Sequence, residues 1–582
     1  MLGSFGPGDI AAVVCYVLFS IGIGVWSARG SSSSASSYFL AGKDANPLVT
    51  AVSLVSGLTS GISFVGIPGY SYKNGGVMYA MLPGYMLGIA FILLVAIPFF
   101  ARPELELVTS YEYLGRRFSE PMRKLAAASF LLRMCAYMGF VLYAPALALQ
   151  TVLGVPVGPS VMVVGTIATL LSMKGGLSAV IWTDFFASLA LIAGVMLGIG
   201  FAWQGTAGGA SGAFSIARAN GKLFPPGFAD FAPLASFDMW SLCFGFGFNI
   251  AAQAGTDQIA VQRYLATADV RAAQLSSLVG NALNMVMLTM LTTLGVALFG
   301  YYHSAGRADP LGPASTPRLN SDQVFPHFFV EALPDGAGGL LVSALFATTV
   351  SVFSGGINSA VTCFIVDVLE QRPRPSRGDG GGGGGAARCR EEGGEGASGG
   401  AQAAADEDDR EVVRLSKKLT LAFGAFAVLL AYLAQFVGQS LSLVTAAASA
   451  VCNAPVFGVF LLGMTNERAR GADAELAFAV ATAFMVYALV ATGICPNEQN
   501  SAANGGSGGR GAAALPAACD SALLPGRISE WWYGPVGSLL CLAVGTLSSA
   551  LRPPCALPSA AMGLTWRTRH VRAFQVLPKD DM

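Results

Sequence analysis

An ionisable side chain inside a long apolar stretch is costly, and it defaults to a functional reading. Asp184, within Ile181-Trp182-Thr183-Asp184-Phe185, is the clearest such group here. It stands near the start of its apolar run. It is therefore either a coupling or gating carboxylate at membrane depth or a charge at a helix end. Arg133 is the one basic residue well inside an apolar run. It either snorkels to an interface or pairs with an acid that the sequence does not identify. A third pattern is rich in oxygen. The stretch 344–359 contains Thr348, Thr349, Ser351, Ser354, Asn358 and Ser359 among small apolar residues. Hydroxyl and carbonyl oxygens suit a hard cation such as sodium, and a neutral oxygen cage would hold it weakly and reversibly. The alternative is that these hydroxyls bond back along their own helix.

Two further stretches carry glycine and proline inside apolar sequence. The first runs from Ser56-Gly57-Leu58-Thr59-Ser60-Gly61 to Gly66-Ile67-Pro68-Gly69. The second is Cys243-Phe244-Gly245-Phe246-Gly247-Phe248-Asn249, followed by Gln253 and Gly255. Non-helical backbone at membrane depth survives only where it packs in protein or lines a cavity. Transporters use such interruptions to present carbonyls to cations and helix N-termini to anions. The competing reading is that glycine merely lets helices pack closely.

These patches need elements to position them, and composition says which. The chain has 582 residues, 53% hydrophobic and 12% charged, whereas soluble domains carry about 25% charged residues. That little charge cannot cover a water-facing surface, and the net charge of +0 gives no footprint for nucleic acid. A spanning helix needs about 20 apolar residues, and about thirteen candidates satisfy this, so the expected class is an all-α polytopic membrane protein. They run roughly over 9–28, 48–72, 76–100, 122–153, 158–173, 177–203, 239–257, 272–301, 337–366, 416–437, 440–465, 472–494 and 533–552. The first is too long for a cleaved signal peptide, and it starts at Asp9 with no basic flank. The two glycine-rich stretches fall in the second and seventh candidates, five apart. That spacing fits two five-helix halves related as an inverted repeat after one extra N-terminal helix.

Arginine and lysine set the expected orientation. Arg102, Arg116, Arg117, Arg123, Lys124, Arg263, Arg271, Arg414, Lys417, Lys418, Arg468 and Arg470 all fall in alternate connections, with Arg567, Arg569 and Arg572 in the tail. The positive-inside rule then places the N-terminus outside and the C-terminus in the cytoplasm, most plausibly at a plasma membrane. Residues 370–413, with a polyglycine run and an acidic stretch from Asp406 to Glu411, and residues 496–527, rich in Gly and Ala, lack the apolar content to fold and are expected to be mobile. The remaining tail is 553–582. Cys495 and Cys519 flank the second of these loops and could form a disulfide if it lies outside the cell. The other cysteines of the ten stand mostly in apolar runs and read as packing residues. The three histidines leave little room for His chemistry. No HExxH, GxSxG or Walker pattern points to an enzyme, and nothing points to an organic cofactor. The sequence carries no signal of oligomeric state.

Several motifs together resemble the sodium:solute symporter family. They are Tyr38-Phe39-Leu40-Ala41-Gly42-Lys43; Gly66-Ile67-Pro68, read as a helix break; Gly175-Gly176-Leu177-Ser178-Ala179-Val180-Ile181-Trp182-Thr183-Asp184; Asp257-Gln258-Ile259-Ala260-Val261-Gln262-Arg263; and the Ser/Thr-rich stretch ending at Asp367. Ser110-Tyr111-Glu112-Tyr113-Leu114 and Tyr143-Ala144-Pro145-Ala146-Leu147 look like the branch of monocarboxylate, multivitamin and iodide transporters. The resemblance spans roughly 10–470. It implies a LeuT-like core of five plus five helices, with sodium, lipid bilayer and a small solute as partners. It also implies sodium ligands from the main-chain carbonyls of Ser56, Thr59 and Thr348 and the hydroxyl of Ser351. Solute would sit near Ser63, Phe64, Tyr85, Tyr143, Trp240, Asn249 and Gln253. The family usually has a hydroxyl residue after Ser351, where this chain has Val352; Thr349 or Ser354 would have to compensate. Asn453-Ala454-Pro455 replaces a glycine-rich stretch, a second departure. The expected activity is sodium-coupled symport, most simply of a monocarboxylate or a carboxylate-bearing vitamin. An uncoupled carrier, or a symporter for iodide or a sugar or polyol, are the alternatives.

Overall fold

The computed structural model describes residues 6–29, 46–102, 105, 107–173, 177–224, 228–231, 238–267, 269–304, 306–312, 319–370, 395–436, 441–494, 529–552 and 564–565. No strand occurs among them, and helices lie at all thirteen predicted positions. The main elements are α1 (Pro7–Arg29), α2 (Pro47–Leu58), α3 (Gly61–Asn74), α4 (Met81–Phe91), α5 (Tyr111–Arg117), α6 (Glu120–Leu153), α7 (Val157–Ser172), α8 (Leu177–Gln204), α9 (Gly209–Ala219), α10 (Phe246–Thr256), α11 (Gln258–Leu265), α12 (Val270–Ser304), α13 (Val324–Glu331), α14 (Ala337–Cys363), α15 (Glu395–Ala434), α16 (Leu441–Thr465), α17 (Gly471–Ile494) and α18 (Tyr533–Ala550). Among the described residues, eight of the helical runs are long and apolar enough to cross a membrane, and α2 with α3 makes a ninth if the bent pair counts as one span.

The packing carries the five-plus-five repeat. α2 packs on α12, and α10 packs on α4, which is the same relation displaced by five segments. The other pairs repeat likewise. α2 against α8 has its counterpart in α10 against α16, α8 against α14 in α16 against α6, and α6 against α15 in α14 against α7. α1 stands outside the repeat and is tied to it by Asp9. Its carboxylate accepts the main-chain N–H groups of Gly336 (2.9 Å) and Gly339 (2.7 Å) where α14 begins.

The first interruption lies at Thr59–Ser60. It does not fall at Gly66-Ile67-Pro68, through which α3 continues. Asn46 caps α2, accepting from Leu48 N at 2.9 Å. Thr59 is extended, and the Ser60 hydroxyl accepts from Ser63 N at 3.3 Å to start α3. The two helices meet at a bend of 60°. Short hydroxyl side chains compete for backbone donors, which makes them helix starts and stops.

The second glycine-rich stretch is not broken where expected. Ser241–Gly245 forms a π-turn that runs directly into α10, and helical geometry ends only at Asp257 (φ −71, ψ 132). The glycines serve close packing. A Cβ at Gly247 would lie 2.5 Å from the Gly84 carbonyl oxygen, and one on Gly84 would run into the Cys243 carbonyl. Here α10 and α4 touch backbone to backbone, the alternative the sequence left open.

α15 begins inside the stretch expected to be loop and carries the acidic run Asp406–Glu411 within a helix. Alanine and glutamate are strong helix formers, and propensity prevails where apolar content is low. Cys495 and Cys519, all of the predicted loop at 496–527 and most of the tail from 553 lie outside the described residues.

Candidate functional site

Four elements converge where α2 ends. Ser56 from α2, Asp184 and Ser188 from α8, Ser351 from α14 and Arg263 from α11 form one buried polar cluster. The Ser351 hydroxyl donates to Asp184 Oδ1 at 2.6 Å, and Arg263 donates to Asp184 Oδ2 at 2.7 Å. Ser56 Oγ lies 2.8 Å from Ser351 Oγ and donates to the Asp184 carbonyl at 2.9 Å. The Ser188 hydroxyl accepts from Ser56 N at 3.0 Å. Asp184 is 0% exposed and Arg263 3%. Asp184 therefore holds an interior position, away from any helix-end surface. Arg263 was expected as a loop charge; it is a buried partner instead.

The Arg263 head group occupies room left by glycine. A Cβ on Gly57 would meet its Nη2 at 2.6 Å, and one on Gly355 would meet it at 3.4 Å. Gly57→Ala is accordingly expected to displace the guanidinium from Asp184 and to destabilise the fold, since it separates a buried pair. The melting temperature of the purified protein measures this, and a wild-type value would count against the seat.

The oxygen-rich helix divides its hydroxyls. Thr348 bonds back to the Ala344 carbonyl at 3.0 Å and Thr349 to Leu345 at 2.8 Å. Self-bonding thus accounts for both side chains, although the Thr349 hydroxyl also faces Gly61 at the bend. Ser354 Oγ is 2.8 Å from Ser172 Oγ on α7, so it is engaged elsewhere. Val352 is buried and adds no oxygen.

A cavity of about 270 Å³ opens beside the bend. Thr59, Ser63, Tyr85, Asn249 and Gln253 line it. Phe64, Tyr143 and Trp240 do not. At about 100° per residue, Ser63, Gly66, Ile67 and Tyr70 share one face of α3, and Phe64 points the other way, onto Phe325 (centroids 5.3 Å apart). On α6 it is Tyr137 that reaches the cavity, and Tyr143, six positions on, lies on another face. Trp240 precedes the π-turn, is 36% exposed and donates its indole N–H to the Ala229 carbonyl at 2.9 Å.

Sequence reasoning missed Asn284, Tyr137 and Trp531 on the cavity wall, and it marked Asn453 only as part of a departure from a glycine-rich stretch. Asn281 and Asn284, three apart in an apolar run, were a usable signal. Thr59 donates to Asn284 Oδ1 at 2.6 Å, Asn284 Nδ2 donates to the Tyr85 hydroxyl at 2.7 Å, and Tyr85 donates to Asn281 Oδ1 at 3.0 Å. This chain of bonds links the bend directly to the cavity wall.

Arg133 finds its partner in Asp257, at the corner where α10 turns into α11. The other Asp257 oxygen caps α11, accepting from Ile259 N at 3.1 Å. Around the same corner Ser110 donates its hydroxyl to the Thr256 carbonyl at 3.0 Å, and its N–H to Gln258 Oε1 at 2.9 Å. Asp367, at the far end of the oxygen-rich run, accepts from Arg123 Nε at 2.7 Å and Thr109 Oγ1 at 2.8 Å. Among the described residues, no group of three or more His, Cys, Asp or Glu side chains could hold a metal ion.

Residues 38–377 match the model of the sodium:solute symporter family. The sodium/iodide cotransporter of Homo sapiens is 27% identical, with 100% of this chain and 89% of that protein aligned. The sodium-dependent multivitamin transporter of Oryctolagus cuniculus is 28% identical, over 99% and 90%. A solved structure of a Na+-coupled sialic acid symporter, in a substrate-bound outward-open state, superposes with a TM-score of 0.72 at 23% identity, covering 95% of this chain and 100% of that one. That last likeness establishes the fold.

Proposed function

We propose that this chain, which belongs to the sodium:solute symporter family, couples sodium entry to uptake of a small carboxylate-bearing solute, either a monocarboxylate or a vitamin. Sodium-coupled solute symport is the shared activity of its relatives. The observation that carries the reading is the oxygen cluster of Ser56, Ser351 and Asp184 set one turn from the bend that lines the cavity. Sodium takes the main-chain carbonyls of Ser56, Thr59 and Thr348 and the hydroxyl of Ser351 as ligands. Asp184 orients that hydroxyl and supplies negative charge nearby. Solute occupies the cavity beside Ser63, Tyr85, Asn249 and Gln253.

Transport follows alternating access. Sodium bound from outside favours the state in which the bend and the cavity wall are in register, and the Thr59–Asn284–Tyr85 chain of hydrogen bonds joins the two sites. Coupling requires that sodium bind one state better than the other. Inside, low sodium and negative potential draw the ion off and solute follows. The driving force suffices: about 2.3 kcal/mol per charge per 100 mV plus about 1.4 kcal/mol for a tenfold gradient gives roughly 3 kcal/mol per ion at resting potentials, or about two decades of accumulation. The N-terminus faces outward at the plasma membrane in this reading.

Uptake of labelled lactate, pantothenate, biotin and iodide into expressing cells, in sodium and in choline, tests the proposal. Sodium-dependent uptake of one carboxylate is the expected result. Ser351→Ala is then expected to raise the sodium concentration for half-maximal uptake by about tenfold, taking the lost ion–oxygen contact as comparable to a polar contact of about 1–1.5 kcal/mol. One observation favours an uncoupled carrier on the same fold, the hydrocarbon of Val352 next to Ser351. Uptake indifferent to sodium would establish that alternative, and iodide uptake alone would move the solute class.

A further inference from the structure

The cavity wall has two unlike halves. On one side the polar groups satisfy each other: Thr59, Asn284 and Tyr85 are joined in series. Toward α10 and α16, helices that pack on one another, stand Asn249, which donates to the Trp531 carbonyl at 3.4 Å, and two more carboxamides, Gln253 and Asn453. Neither has a hydrogen-bond partner among the described residues. Among the described residues no Lys, Arg, His, Asp or Glu lines the cavity, and the remaining surface includes Met78, Met81, Leu288 and Trp531. A free carboxamide offers one acceptor and two donors on a plane. Two of them in one wall complement a planar group that itself carries a donor and an acceptor. A simple carboxylate has no donor for their oxygens, and a halide has no directional acceptor or donor at all.

We propose that Gln253 and Asn453 form the recognition edge of the cavity for a solute bearing a carboxamide, lactam or ureido group, with the apolar part of the solute against the methionines and Trp531. The proposal rests on the reading of this cavity as the solute site. It makes Asn453 a specificity-determining residue. A site with amides to satisfy rejects analogues that lack the matching group, because its own polar atoms then remain unpaired.

The test is binding to purified full-length protein in sodium, read as thermal stabilisation, with biotin (ureido), pantothenate (amide), nonanoate (a carboxylate with an apolar tail and neither group) and iodide as probes. Biotin or pantothenate is expected to stabilise and nonanoate and iodide are not. Asn453→Ala is expected to raise the half-saturating concentration of the active probe at least tenfold, with Asn453→Gln partly restoring it and the sodium half-saturation unchanged. Stabilisation by nonanoate equal to that by biotin, by iodide alone, or by none of the probes would overturn the proposal, as would an unchanged Asn453→Ala titration. Sodium dependence of uptake is measured separately in cells. Binding of an amide-bearing probe without sodium-driven uptake would sink the symport reading and leave the recognition edge standing.

Discussion

Asp184→Asn abolishes sodium-driven uptake. Asp184 is fully buried, and its two oxygens are divided between Ser351 and Arg263. Neutralising it leaves the Arg263 guanidinium buried beside Gly57 and Gly355 with no countercharge, a loss on the order of 3–5 kcal/mol for a broken buried pair. It also removes the acceptor that orients the Ser351 hydroxyl. At about 1.4 kcal/mol per decade, a cost of that size lowers the ratio of folded to unfolded protein by about two decades or more, and the missing orienter of Ser351 lowers sodium affinity besides. Asp184→Glu keeps the charge on a longer stem and is expected to retain part of the activity with weakened sodium affinity. Wild-type sodium half-saturation in Asp184→Asn would remove the carboxylate from the mechanism. Pairing Asp184→Asn with Arg263→Gln separates the two roles. Recovery of folded protein without recovery of sodium dependence assigns Asp184 to coupling, whereas recovery of both assigns it to structure.

Asp257→Asn destabilises the fold, with an expected cost of about 3–5 kcal/mol. Asp257 compensates Arg133, which is 3% exposed on α6, and caps α11 at the corner that the start of α5 grips through Ser110 and Gln258. Asn retains the cap, since an amide oxygen still accepts from Ile259 N, so the loss isolates the charge. Arg133→Met alone is expected to fail comparably, because the carboxylate is then left uncompensated. The double change, Arg133→Met with Asp257→Asn, is expected to recover much of the stability, because replacing a buried pair as a unit is often neutral. Melting temperature and surface abundance of the three variants decide the matter. Equal damage in single and double variants would mean that the pair is not the source of the effect.

The apolar runs alone set where helices form, because membrane helices must satisfy their backbone groups internally and need about 20 apolar residues to do so. The five-segment spacing of the two glycine-rich stretches already pointed to the repeat that the packing of α2 on α12 and α10 on α4 carries. What glycine does at each place was beyond that pattern. Near Thr59 short hydroxyl residues bend the chain, whereas at Gly245 and Gly247 the missing side chains admit neighbouring backbone, that of α4 at Gly247 and that of Trp531 at Gly245. Local composition reads the same in both, and only the neighbouring segment distinguishes them.

Asp184 and Arg133 stood out as charges inside apolar sequence, which are costly to bury without a partner, whereas most of the hydroxyls of α14 bond back along their own helix or to a neighbour. The partners of the two charges were not legible. Arg133 with Asp257 and Asp184 with Arg263 are 124 and 79 residues apart, and no periodicity spans such distances. Facing was lost for the same reason. Ser63 and Phe64 are neighbours in sequence but point about 100° apart around the helix axis, so one meets the cavity and the other Phe325. The sequence determined which segments are helical and which residues are expensive to bury; the tertiary structure decided which expensive residues neutralise one another, because that depends on contacts between helices that a one-dimensional pattern does not contain.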